Sequence, residues 1–339
     1  MENNTKKREN WADIAKGICI IFVMLGHTSI GKAITSYTYV FNMPVFFFLA
    51  GYFLNLKKYK NDLDLVITSM KKILVPYTIF SLISIIFYKF YFNMPLYDYA
   101  TILNMIKMFF IATRNQIFYN IPLWFLPTLC FTQILFYYIK KIKHKYIEWL
   151  LIIPIGAYFI IKWDTLYNPR LFWTIDNGCF YLIFFALGYY IKQNWFNWKL
   201  KSKWLLTIVF LISLAVNTLT IFNQALFNSL FKNNIVLNYK ILYFLSLLIL
   251  ALSGIYVTIK ISKIINKNKI LEYIGKNSLI YFGLHVLIFW LLDRIIKPME
   301  FFQNKLILMS ILYTIITLII ISLIIPKIKK ILPQVFGKN

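Results

Sequence analysis

Charge is scarce in this chain. Only 14% of its 339 residues are Asp, Glu, Lys or Arg, against roughly 25% in an average soluble domain. With hydrophobic residues at 60% and aromatics at 19%, that shortage excludes a soluble globular fold and leaves an integral membrane protein. Cysteine is scarce too. Cys19, Cys130 and Cys179 lie within or beside apolar segments at unrelated spacings, with no CxxC and no Cys/His pattern. This excludes a disulfide framework and a zinc site and leaves three small buried residues. The sequence also lacks an internal repeat, a low-complexity tract, a long flexible linker and any stretch that sets off a soluble domain. The first apolar run follows Lys6, Lys7 and Arg8 as a signal peptide would, yet no small-residue cleavage site follows it. It is expected to stay as a membrane helix.

What is present is a succession of apolar stretches near 13–31, 38–56, 73–93, 123–139, 146–161, 177–191, 204–222, 239–259, 273–292 and 306–326. Each has about the length that crosses a bilayer core, so the expectation is an all-α polytopic bundle of about ten transmembrane helices. Residues 1–339 read as one membrane domain with short tails at 1–10 and 327–339. Net charge is +25, but the Lys and Arg residues cluster between apolar runs, concentrated in the even-numbered loops and both tails. The positive-inside rule then puts both termini in the cytoplasm, and the charge records topology rather than a nucleic-acid partner. Segment 94–122 is the exception: with Lys107 and Arg114, Tyr97 to Phe118 reads either as an interfacial amphipathic helix or as a further span, and a span would invert the later orientations and break the charge alternation.

Ionisable groups inside apolar helices cost free energy and mark functional sites. Helix one carries Asp13, Lys16 and His27. At about 100° per residue Lys16 and His27 fall within roughly 20° of each other, about 16 Å apart along the axis. His27 and His285 are expected at similar depth in the outer half of the bundle. His144, among Lys140, Lys141, Lys143 and Lys145, reads as solvated. Asn42, Met43 and Pro44 enter the same outer half on helix two. Trp124, Asp176 and Asn177 lie somewhat higher and either line an outward-facing polar cavity with them or serve as interfacial anchors. Lys71 and Lys72 precede Ile73 at the expected start of helix three, where a helix amino terminus and two cations would form a phosphate-binding rim. Gly26, Gly51 and Gly275 read as packing positions. Asp293, Arg294 and Lys297 read as a solvated or interfacial charge cluster.

The segments RENWADIAKGICIIFVMLGH (8–27), FNMPVFFFLAGYF (41–53), KKILVPY (71–77), PLWFLPTL (122–129) and IGKNSLIYFGLH (274–285) resemble the membrane acyltransferase-3 family, closest to its sugar O-acetyltransferases of the fucose 4-O-acetylase type. The resemblance implies a multi-pass enzyme of the bacterial cytoplasmic membrane. Such an enzyme moves an acyl group, usually acetyl from acetyl-CoA and without a metal, onto a hydroxyl of a cell-surface glycan or lipid-linked saccharide. Its partners are then membrane lipids and the saccharide acceptor. The family's basic residue, ten intervening residues and histidine correspond to Lys16 and His27, with Lys in place of the commoner Arg. Its Arg-x-x-Arg pattern is met only in part by Ser69, Met70, Lys71 and Lys72.

The expected chemistry follows. His27 is the general base or a transient acetyl carrier, with Lys16, Asp13 and His285 in support. Lys71 and Lys72 hold the donor's phosphates, and Asn42, Trp124, Asp176 and Asn177 face the acceptor. Asp13 and Lys16 are expected to pair. A different class, an exporter of a glycan or lipid-linked precursor, would also use intramembrane histidines and a basic rim, but lacks discontinuous segments recurring in two halves.

Overall fold

A computed structural model of the chain describes residues 9–28, 32–93, 99–163, 168–193, 236–265, 267–296 and 306–336, together with Ile208 and Leu211. These residues form helices joined by short turns, and no strand occurs among them. In chain order the helices are α1 Asn10–Gly26, α2 Lys32–Phe53, α3 Asp62–Tyr91, α4 Tyr99–Ile111, α5 Phe125–Lys140, α6 Lys145–Trp163, α7 Ile175–Lys192, α8 Val236–Ile264, α9 Lys269–Lys276, α10 Ser278–Ile296, α11 Leu306–Ile331 and α12 Pro333–Phe336. Short 3-10 turns at Ile121–Trp124 and Phe172–Thr174 lead into α5 and α7.

Among the described residues, five stretches are long and apolar enough to cross a bilayer: Asp62–Tyr91, Ile121–Lys140, Tyr243–Ile264, Ser278–Ile296 and Leu306–Ile331. The segment expected at 204–222 lies outside the described residues apart from two positions. The segment expected at 273–292 is instead two helices. Asn268 caps α9, its side chain accepting from the Leu271 N–H at 2.9 Å, and the chain turns at Asn277 before α10 begins. α4 has 13 residues, about 20 Å of helix, and is too short for a core of about 30 Å. The chain after 326 is not a loose tail: α11 continues to Ile331, and Phe336 of α12 is buried with its ring 5.4 Å from that of Phe80.

Polar fastenings gather where α1 and α3 begin and α2, α5 and α7 end. The Glu9 carboxylate accepts from Trp11 Nε1 at 2.7 Å, from the Tyr52 hydroxyl at 3.2 Å and from Lys192 Nζ. Burial works against its charge, yet these donors prevail and hold the carboxyl below its ordinary range. Asp62 accepts from Tyr137 and Lys141, and fully buried Glu148 from Lys140 and Tyr190. Lys263, at the end of α8, lies over the Trp11 ring at 5.2 Å. α1 and α3 therefore start at one end of the bundle, where α2, α5, α7 and α8 finish.

Between the ends, glycines set helix separations. A Cβ on Gly275 would collide with the Asp13 carbonyl oxygen, and one on Gly17 with that of Leu271, so α1 and α9 meet backbone to backbone, as small residues allow in membrane bundles. Gly51 and Gly188 do the same between α2 and α7. From this we predict that Gly275→Val lowers the melting temperature of the purified protein by about 5 °C or more, because a backbone neighbour has no flexible end to move aside. Gly26→Ala, whose new methyl would meet only the Thr38 hydroxyl at 3.1 Å, should melt close to the parent. Differential scanning fluorimetry in detergent checks both.

Candidate active site

The contact that fixes α1 against α9 also sets what happens ten residues further along each strand of the pair. Gly17 and Gly275 touch, and ten positions on from each stand His27 and His285. Their ring centroids are 5.3 Å apart with planes at 47°. His27 caps the end of α1, its N–H bonded to the Met24 carbonyl at 3.0 Å, while the Thr28 hydroxyl donates to the Leu25 carbonyl at 2.7 Å. Its imidazole thus extends past the last helical turn. His285 lies two turns into α10 and is fully buried.

The tautomer of His285 follows from its neighbours. Nδ1 lies 3.1 Å and 2.9 Å from the carbonyl oxygens of Tyr281 and Phe282. Carbonyls only accept, so Nδ1 carries the proton and the neutral ring keeps Nε2 as its acceptor. That nitrogen has no hydrogen-bond partner among the described residues. A buried polar atom without a partner is costly and in a membrane helix points to use.

Two cavities meet at His27. The narrower, about 10 Å³ or the space of one water, lies among His27, Thr38, Asn42, Met43, Pro122 and Trp124. Asn42 is buried, and its Oδ1 has no hydrogen-bond partner among the described residues. The wider cavity, about 250 Å³, is lined by His27 and Thr28 together with Trp290, Asp293, Ser310 and Tyr313 among others.

Trp124 is held as a rigid wall. Its ring stacks on Tyr181 at 6.2 Å, which stacks on Phe47 at 4.5 Å, and the Arg114 guanidinium lies 5.5 Å from it. Arg114, only 7% exposed, sits in a loop clasped to the turn before α7: its N–H donates to the Thr174 hydroxyl at 3.0 Å and the Thr113 hydroxyl to the Leu171 carbonyl at 3.0 Å. Ala112, Trp173 and Thr174 are left-handed there, a geometry that costs roughly 1–2 kcal/mol per non-glycine residue and persists because these bonds hold it.

His27, His285, Asn42 and Trp124 therefore come together as expected. Lys16 and Asp13 do not join them. Lys16 Nζ lies 3.3 Å from Asp13 Oδ1 and 5.7 Å from the Phe53 ring, about 16 Å down α1 from His27. Asp176 lines neither cavity. Its Oδ2 accepts from the Arg170 and Leu171 N–H groups at 2.6 Å and 3.4 Å, and its Oδ1 from the Asn177 N–H at 3.0 Å, folding the turn that starts α7. Asn177 is buried beside it.

Two expectations are corrected. Lys71 and Lys72 are exposed but stand in the interior of α3, which starts at Asp62 under an Asn61 cap with Asp62 and Asp64 in its first turn. Their backbone donors are spent within the helix, so any anion attraction there is lysine charge alone. Asp293 is no solvated cluster: it lines the wider cavity and accepts from the Tyr313 hydroxyl at 2.8 Å, while Arg294 turns away to the Tyr91 ring and carbonyl. Lys297 lies outside the described residues, and His144 is exposed. Sequence reasoning missed the cavity role of Asp293, and also missed Ser310, Tyr313 and Arg114. For Asp293 a signal existed, because eight residues beyond His285 places it about 80° around and 12 Å along α10. Ser310 and Tyr313 look like ordinary residues of an apolar helix.

A family model described as an acyltransferase domain, that of the acyltransferase-3 family, matches residues 9–325. No curated protein and no solved structure matches the chain.

Asp176→Ala should leave three backbone N–H groups without their acceptor. We predict a lower melting temperature, by about 3 °C or more, and faster proteolytic cleavage within 168–174, measured by a thermal melt and timed digestion of the same preparation.

Proposed function

The chain belongs to the acyltransferase-3 family, and from that membership we propose that this membrane acyltransferase moves an acetyl group from cytoplasmic acetyl-CoA to a hydroxyl of a cell-surface glycan or lipid-linked saccharide, as the fucose 4-O-acetylase-like enzymes do. The observation that carries this reading is His27 at the junction of two cavities, its ring 5.3 Å from that of His285. Acyl transfer from a thioester to an alcohol needs a base at the hydroxyl, donors for the developing oxyanion and a fixed approach of the two substrates.

His27, at the end of α1 and in contact with both cavities, takes the proton of the acceptor hydroxyl as its oxygen attacks the thioester carbonyl. The tetrahedral intermediate collapses by breaking the carbon–sulfur bond, and the proton on His27 passes to the departing thiolate. His285, with its Nδ1–H spent on backbone carbonyls, has only an acceptor nitrogen left to offer the site. Asn42 Oδ1 orients the incoming hydroxyl, and the indole N–H of Trp124 serves the oxyanion.

The donor side lies at the Glu9 end of the bundle, which the excess of Lys and Arg assigns to the cytoplasm together with both termini. Lys71 and Lys72, with Lys58 near Lys72, attract the phosphates of acetyl-CoA. Its pantetheine arm covers the distance from Lys16 to His27, and the Lys16–Asp13 pair offsets the burial of either charge.

His27→Ala should lower acetyl transfer at least about a hundredfold while the protein still reaches the membrane. Incubating purified protein with labelled acetyl-CoA and isolated glycan measures this: label in the glycan marks an enzyme, and retained turnover in the variant excludes the base assignment. Substrate movement without labelling would indicate a carrier. Exchanging Lys71 and Lys72 together for Ala should raise KM for acetyl-CoA severalfold with kcat nearly unchanged, an effect that shrinks as salt is added.

A further inference from the structure

The reaction just described uses the narrow cavity and His27, and leaves several groups that line the wider cavity without a task. These are Trp290, Asp293, Ser310 and Tyr313, contributed by α10 and α11. Ser310 is fully buried and its Oγ has no hydrogen-bond partner among the described residues, although the cavity runs past it. Asp293 and Tyr313 are joined by the 2.8 Å bond that fixes both side chains. Trp290 is backed by Tyr88, Tyr91 and Phe87 at ring separations of 5.5 Å, 5.8 Å and 6.3 Å, so its ring is a braced surface.

We propose that this wall is the subsite for the acceptor's sugar ring, and that it selects an uncharged pyranose over a uronic acid. The inference rests on the acyltransferase reading for the word acceptor, but its chemistry comes from the wall itself. A pyranose has an apolar C–H face and a rim of hydroxyls. A fixed indole meets the first, while a carboxylate, a phenol and a serine hydroxyl meet the second. The carboxylate accepts hydrogen bonds and donates none, which favours hydroxyl donors and repels a second carboxylate brought into the same confined space. A volume of about 250 Å³, against about 10 Å³ for the narrow cavity, gives room for a sugar ring. His27 lines the same cavity, so a ring seated there has a hydroxyl within reach of the base.

The test is saturation-transfer NMR on the full chain in lipid nanodiscs, without acetyl-CoA. The probes are methyl glycosides of glucose, galactose, fucose and N-acetylglucosamine, and of glucuronate and galacturonate, plus the same uncharged sugars linked to polyprenyl phosphate. At least one uncharged ring, free or lipid-linked, should bind saturably and at least about tenfold tighter than the uronates. Binding of the free glycosides places recognition in the ring alone, and binding of only the lipid-linked form adds the membrane as its source. Asp293→Asn should bring uronate and hexose to within about threefold of each other, and because this is a ratio it survives any general loss of folded protein. His27→Ala should keep the preference. Uronates that bind as well as hexoses to the wild type, or no uncharged glycoside binding in either form, overturn the subsite. Glycan binding that persists without any acetyl transfer would instead overturn the function proposed above and leave the subsite standing.

Discussion

The closeness of α1 to α9 at Gly17 and Gly275 is the constraint on which the rest of the site depends, because it sets the position of α1 along the α9–α10 segment before any polar group is involved. Helices that touch through their backbones cannot slide without forcing carbonyls together. α10 continues from α9 after the turn at Asn277, and its His285 reaches the end of α1. His27 and His285 each follow their glycine by ten residues, so the imidazole pair is the far end of a packing contact that starts about 15 Å away. Phe80 presses on Gly283 from α3, and Asn120 donates to the Gly283 carbonyl and the Ser84 hydroxyl at 2.9 Å and 2.8 Å, so α10 is held from its other side as well.

Charge is distributed along the same axis. One end carries the ion pairs of Glu9, Asp62 and Glu148 with their lysines, whereas the residues around His27 are neutral or aromatic, apart from Arg114 behind Trp124 and Asp293 across the wider cavity. This separation suits a reaction whose donor is a polyanion and whose acceptor is a polyol. In the proposed reaction, cations hold the donor at one end, a carboxylate and an indole receive the acceptor beside His27, and the neutral residues between limit competing water.

Much of this arrangement was legible in the residues. Ionisable groups in apolar runs are rare enough that Lys16, Asp13, His27 and His285 stood out, and the two histidines were expected at one depth because helix rise is constant. Asn42 was expected in the same outer half, and Trp124 somewhat higher, as a cavity residue or an interfacial anchor. The shared ten-residue interval after Gly17 and Gly275 was also present, but a lone glycine pair shows its partner only in three dimensions. Other features were hidden by local ambiguity. Hydropathy rises at Ile73, whereas α3 begins eleven residues earlier at Asp62, under its Asn61 cap, so Lys71 and Lys72 stand at no helix terminus. Asp176 gave no outward sign that its lone pairs were committed to its own turn, since that depends on the left-handed backbone at Trp173 and Thr174. Ser310 and Tyr313 follow the pattern of a bilayer-spanning helix, and their role is visible only once α11 lies against α10 beside His27.

The claim at the centre of this account is that a donor entering at the charged end reaches the imidazole pair. The most direct measurement is a structure of the full chain in a lipid nanodisc with a non-hydrolysable thioether analogue of acetyl-CoA. The account predicts that the analogue's phosphates lie by Lys71 and Lys72 and that its acetyl carbonyl carbon ends beside His27, with room for a hydroxyl at a reacting distance of about 3–3.5 Å. An analogue bound with its acetyl group on the far side of the Lys16–Asp13 pair, and no passage leading from there to His27, would contradict it.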